Sequence, residues 1–355
     1  MNSMTDDEIL TYYTSRIYIL NHDSQFTEAL SLVELAKNVF GIGFCQVREG
    51  LQRSTVLEFT LNAAVVSLSC MAIKKVEQFL SYFDRYAHDS SIINEFILKR
   101  YMVEMELYFR TGRYEKGLQS SYQAEKYAMT HEDKYHIFLQ RGILEQGLLN
   151  RYEFAISSLS DALYEAERCE NESYIAQVYE RMAPMYGMRY PYLGIYFIRK
   201  AEAIYKKLND ITSLQGNMVY RANAYYVAYK ANEQANKDLL KEAKLLLDEI
   251  DSNKFPLEQH RMNYLYVKGL VNQDIIPLKE ACGYYQQIEA WGSVCKCCDA
   301  ILEIGTETSA EWKELQHYLQ TYREAAIHMR RPDLEMILNH LDKWEEQVNE
   351  CILGK

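Results

Sequence analysis

Arg110-Thr-Gly-Arg-Tyr114-Glu-Lys-Gly117, Leu149-Asn-Arg-Tyr152-Glu-Phe-Ala155 and, in weaker form, Met188-Arg-Tyr-Pro-Tyr-Leu-Gly194 repeat one phrase: a tight turn, an aromatic and then a small residue three positions on. Tyr114 and Tyr152 stand 38 residues apart, and Ala155 and Gly194 stand 39 apart. Recurrence at this spacing marks stacked helical hairpins, because each two-helix unit buries its apolar face only against its neighbours. A stack of this kind presents an extended surface, which points to a protein that works by binding.

Composition agrees with an all-α chain. Five Pro and 15 Gly in 355 residues are too few to punctuate a β-rich fold, and 30 Tyr, many at helical spacing, must be packed between helices. A net charge of −11 argues against a surface that tracks phosphates, which gathers Lys and Arg into patches. Lys74-Lys75 and Arg330-Arg331 sit among acidic residues and read as solvated helix faces. No nucleic-acid partner is expected. The first residues include Asp6, Asp7 and Glu8 where a secretory signal would be apolar, and no stretch approaches the ~20 apolar residues of a membrane span. A cytoplasmic protein without membrane contact is therefore expected, with Cys45, Cys70, Cys169, Cys282, Cys295, Cys297, Cys298 and Cys351 as reduced thiols.

Seven hairpins can be laid along the chain. The third is clearest: its first helix is predicted from about Ile92 to Phe109, with Tyr101, Met105 and Tyr108 on one face, and Gly112 ends it. Its second helix turns Tyr114, Gly117, Ser121 and Ala124 inward, and the small side chains allow the paired helix to approach closely. The fourth repeats this with Tyr152, Ala155, Leu159 and Ala162, and either Gly142 or Ile143 fills the close-approach position of its first helix. The fifth has Tyr179, Met182, Ala183 and Tyr186 before Gly194, Ile198 and Ala201. Tyr13, Ile17 and Leu20 with Phe26, Ala29, Val33 and Ala36 fit a first hairpin closed by Gly41-Ile-Gly43. Leu57 to Leu68 and Ile73 to Tyr86 form a second, Gly216 to Ile250 a sixth and Gln259 to Trp291 a seventh. Repeats thus occupy residues 1–291, and 292–355 read as closing helices continuous with the stack, with a boundary at Arg331-Pro332-Asp333.

These residues resemble the tetratricopeptide repeat, whose unit places an aromatic, a Leu-Gly pair and a Tyr in one helix and Tyr, Ala and Ala in the next. The usual period is ~34 residues. The longer period here is similar to the extended repeats of bacterial regulatory and peptide-sensing proteins. The resemblance implies a right-handed superhelix whose first helices line a groove for a peptide or partner segment. Carried over by register, it implies groove positions at Thr14 and Tyr18, at Lys99, Met102, Glu106 and Arg110, at Gln177 and Glu180, at Arg221 and Tyr225, and at Asn263 and Tyr266. Asn, Gln and Arg suit a peptide backbone, and Tyr suits its side chains.

Candidates for chemistry are sparse. Cys295 and Cys298 share a helix face that Cys282 can approach, yet zinc sites normally show two short Cys/His pairs, so buried reduced thiols without metal are expected. His131-Glu132-Asp133 with His136 falls at a turn, where polar residues serve solvation and capping. Neither H-E-x-x-H, G-x-S-x-G nor a phosphate loop occurs. A non-enzymatic scaffold that binds a peptide or partner segment, with no cofactor, is the leading expectation. A peptide-responsive regulator acting through a partner protein is the alternative, and residues 1–90 carry no helix-turn-helix pattern that would make it bind DNA directly.

Overall fold

The computed structural model describes residues 4–23, 25–43, 47–87, 94–148, 151–187, 189–234, 236–255, 258–307, 312–329 and 334–352. The chain divides into two compact units, one of residues 1–108 and 116–129, the other of residues 109–115 and 130–355. Among the described residues there is no strand.

The first unit contains α1 (Asp6–His22), α2 (Phe26–Phe40), α3 (Arg53–Ser69), α4 (Ile73–Tyr86), most of α5 (Asn94–Arg110) and most of α6 (Tyr114–Glu125). Thr5 and Glu8 form a capping box that satisfies the first amides of α1. Gly41 ends α2 with a left-handed φ of 69°. The expected apolar positions of the first hairpin meet: Ile17 and Leu20 share a core with Ala29, Val33 and Ala36, closed by Phe59 and Val76 of the second hairpin. On α5, Met105 is buried. Arg100 binds Asp84 and Glu104, and Glu104 accepts a 2.6 Å hydrogen bond from Ser120 of α6.

The second unit contains α7 (His131–Gln146), α8 (Tyr152–Arg168), α9 (Glu172–Gly187), α10 (Pro191–Leu208), α11 (Ile211–Ala231), α12 (Lys237–Asp248), α13 (Glu258–Asn272), α14 (Ile275–Gln287), α15 (Trp291–Glu307), α16 (Trp312–Met329) and α17 (Leu334–Ile352). Local chemistry sets the boundaries. Thr130 and Asp133 form a capping box on α7, Pro191 opens α10, and Asp210 and Asp274 cap α11 and α14.

Close approach explains the small residues of the repeated phrase. A Cβ on Gly142 would fall 2.7 Å from Leu159 Cγ, which places Gly142 rather than Ile143 at the contact between α7 and α8. A Cβ on Gly194 would fall 2.7 Å from the Ala183 carbonyl oxygen and 2.8 Å from Gly187 Cα, so α9 and α10 touch backbone to backbone. Ala155 and Gly194 thus occupy matching places in successive hairpins, each where the second helix meets the first. Met262, Leu278, Cys282, Cys298, Ile301 and Ala325 share one core across α13 to α16. The Arg331-Pro332-Asp333 boundary lies outside the described residues.

Candidate functional site

In the second unit, polar side chains on the first helices of successive hairpins reach one another. The Tyr135 hydroxyl of α7 donates to Gln177 Oε1 of α9 at 3.0 Å, and its ring stacks on Tyr174 with centroids 4.3 Å apart. Asn217 of α11 donates from Nδ2 to Glu180 Oε1 at 3.3 Å and to the Ile198 carbonyl at 3.4 Å. Asn217 is fully buried, and its amide oxygen has no hydrogen-bond partner. Arg181 of α9 approaches the Tyr220 hydroxyl at 3.4 Å with its guanidinium 5.8 Å from the ring centre. Arg110 approaches Gln259 Oε1 of α13 at 3.4 Å, across 149 residues of sequence.

Enclosure by protein perturbs the titrating groups in this row. Burial pushes the Glu180 carboxyl up to about 7, against the opposing pull of Arg181 and the Asn217 hydrogen bond. His260 of α13 is held below its ordinary value, first by desolvation and then by the charges of Arg181 and Arg110. The His260 side chain nevertheless reaches solvent. Arg181 and Arg110 are thus near enough for their charges to act on His260. Chemically, the row offers amide donors and acceptors, two cations and aromatic faces.

The positions expected from sequence that fall in the second unit divide three ways. Gln177, Glu180 and Arg110 belong to this row. Asn263 and Tyr266 are half-buried on α13, with Tyr266 packed against the core and its hydroxyl pKa raised by burial. Arg221 and Tyr225 correct the expected register. Both turn towards α10: Arg221 pairs with Glu202, and the Tyr225 hydroxyl accepts from Arg199 at 2.8 Å with the ring only 2% exposed. One position along a helix rotates a side chain by about 100°, so Tyr220 points where Arg221 was expected. Tyr225 is therefore core rather than groove.

The first unit holds the remaining positions. Thr14 is also corrected, being buried with its hydroxyl bonded to the Leu10 carbonyl at 2.9 Å. Tyr18, Lys99 and Met102 line one cavity of about 260 Å³, whose walls include Leu61, Val65, Phe96 and Val103. Lys99 pairs with Glu95 at 2.6 Å. Glu106 is half-buried.

Arg181, Asn217, Tyr220, Gln259 and His260 were not singled out by sequence. The signal for Arg181 and Tyr220 was one residue away, at Glu180 and Arg221. Nothing local joins Arg110 to Gln259.

The two clusters that could suggest an enzyme have structural explanations. His131 Nδ1 lies 2.6 Å from Glu165 and its Nε2 lies 3.2 Å from Arg168 Nε, so the ring bridges the carboxylate and the guanidinium. Asp133 caps α7, and Glu132 accepts from the Tyr174 hydroxyl. Cys282, Cys295, Cys297 and Cys298 are all buried. Among the described residues, no group of His, Cys, Asp and Glu is arranged to hold a metal ion, and no helix is long and apolar enough to cross a membrane.

No protein-family model matches the sequence, and no curated protein matches it. Similarity appears in solved structures. The Rap conjugation gene regulator of plasmid pLS20, in complex with the Phr* peptide, is 14% identical with a TM-score of 0.57 over 92% of this chain and 97% of that one. A Rap protein complexed with competence and sporulation factor is 12% identical with a TM-score of 0.54 over 97% and 99%. The phAimR–ligand structure is 14% identical with a TM-score of 0.53 over 82% and 77%. At these identities the likeness concerns fold: an all-α helical-repeat architecture of the divergent tetratricopeptide type.

Proposed function

We propose that the chain is a non-enzymatic, peptide-responsive regulator that binds an extended peptide along α9, α11 and α13 and acts through a partner protein. One observation carries this reading: Gln177, Glu180, Arg181, Asn217, Tyr220 and Gln259 make their polar contacts with side chains of other helices. Packing alone would favour apolar residues there, because a buried amide or carboxyl costs free energy unless it is bonded. A peptide supplies alternating N–H and C=O groups at the spacing such side chains can meet. Asn217 retains an unused acceptor that an N–H reaching between α9 and α11 would satisfy.

The structural likeness to regulators solved with a bound peptide or factor adds weight to peptide sensing over simple scaffolding. Transmission through a protein partner, in the cytoplasm and without nucleic acid, fits the charge of −11. The test is selection of short peptides from a randomised display library by the full chain. Enriched peptides should bind at least tenfold more weakly to Arg181→Ala and to Tyr220→Ala, with circular dichroism unchanged. Failure to enrich any peptide, or equal binding by both variants, would contradict the proposal.

A further inference from the structure

Cys282 and Cys298 lie on consecutive helices, α14 and α15, with sulfur atoms 3.8 Å apart. Sixteen residues separate them in sequence, and each side chain is fully buried. At this separation the sulfurs are in van der Waals contact, already facing one another. A disulfide between them needs an approach of under 2 Å. Neither the proposed peptide site nor, among the described residues, any metal site uses this pair.

We propose that Cys282 and Cys298 form a reversible redox modification site, closing to a disulfide that staples α14 to α15 when the protein meets a small peroxide. The chemistry proceeds in two steps. The Cys282 thiolate attacks one oxygen of hydrogen peroxide; a sulfur–oxygen bond forms, the peroxide O–O bond breaks, and hydroxide leaves, giving a sulfenic acid. The Cys298 sulfur then attacks the Cys282 sulfur, an S–S bond forms, the S–O bond breaks, and the departing hydroxide takes up the Cys298 proton as water. Both thiols are oxidised by two electrons in total, and one peroxide becomes two waters. A thiol reductant reverses the result by exchange.

At 3.8 Å either sulfur can donate to the other; with the Cys298 S–H as donor, the contact lowers the Cys282 thiol and raises the Cys298 thiol, so Cys282 is taken as the attacking thiolate. Peroxide is small and uncharged, so it can enter where a bulky or charged oxidant cannot. Local opening of the helix pair supplies the route. Cys297 and Cys295 are buried close by and are the competing partners, while half-buried Cys169, the C-cap of α8, reports ordinary accessibility.

The experiment exposes the purified full chain to graded hydrogen peroxide, quenches, alkylates under denaturing conditions and maps the peptides by mass spectrometry. The expected result is one linked pair, Cys282 with Cys298, two hydrogens lighter than the free thiols and restored by reductant. Thermal unfolding of the oxidised protein should shift upward by a few degrees and return on reduction, because the cross-link restricts the unfolded chain. Cys297→Ser should still form the pair. Cys298→Ser should instead accumulate a dimedone-reactive sulfenic acid at Cys282. Linkage to Cys297, loss of the pair in Cys297→Ser, over-oxidation without linkage, or untouched Cys282 at a dose that consumes Cys169 would each overturn the proposal.

Discussion

Gly194→Ala tests the hairpin geometry with one methyl group. The new Cβ would stand 2.7 Å from the Ala183 carbonyl oxygen, 2.8 Å from Gly187 Cα and 3.1 Å from Gly187 N. All three are backbone atoms of α9, so no side-chain rotation relieves the clash and the two helices must separate by about 0.7 Å to restore ordinary contact. Overpacking of this kind costs about 1–3 kcal/mol, and alanine returns up to about 1 kcal/mol through its helix propensity. The expected net loss is about 1–2 kcal/mol. Gly216→Ala supplies the control, because Gly216 lies inside α11 with nothing within 4 Å of the added Cβ. There the propensity term stands alone, and the variant should gain about 0.5–1 kcal/mol. Urea denaturation of both variants measures the contrast, and hydrogen exchange of the α9 and α10 amides locates it, which matters because stacked repeats can unfold in parts. Equal midpoints for the two variants would refute the close-packed assignment.

Two further perturbations separate packing from recognition. Tyr225→Ala should destabilise the fold by about 3–4 kcal/mol, since it empties a ring that is 2% exposed and leaves Arg199 without its hydroxyl partner; Tyr220→Ala should lie within about 1–2 kcal/mol of wild type in the same denaturant series. Glu180 makes stability depend on pH: its folded pKa of about 7 exceeds the ordinary 4.5, so its contribution is present below about pH 4.5 and is lost as pH rises through about 7. Glu180→Gln should remove that loss, gaining about 1–3 kcal/mol relative to wild type between pH 5 and pH 8, and a parallel pair of stability–pH curves would count against the assignment.

The hairpins were legible because they depend on local patterns. Tyr152 with Ala155, and Ile198 with Ala201, repeat at helical spacing, and the small residues mark where two backbones meet. Gly142 illustrates the limit: sequence left it level with Ile143, and only the position of Leu159 separates them. The groove register failed at α11 for a related reason. That helix is 21 residues long and carries tyrosines on several faces, so no apolar stripe fixes its rotation, and Arg221 found Glu202 instead of the groove. His260 and Gln259 escaped notice because their neighbours Arg110 and Arg181 come from distant helices. Pattern carries information about contacts within a hairpin and little about contacts between hairpins far apart in the chain.

Photo-crosslinking tests the central claim most directly. A peptide enriched by the full chain is resynthesised with a benzophenone side chain at each position in turn, irradiated with the protein, and the attachment sites are mapped by mass spectrometry. The account predicts attachment within residues 177–181, 217–220 and 259–263, in an order that follows the peptide from one end to the other. Attachment to the outward aromatics Phe154, Tyr192 and Tyr196, or confined to the cavity of the first unit lined by Tyr18 and Met102, would contradict it.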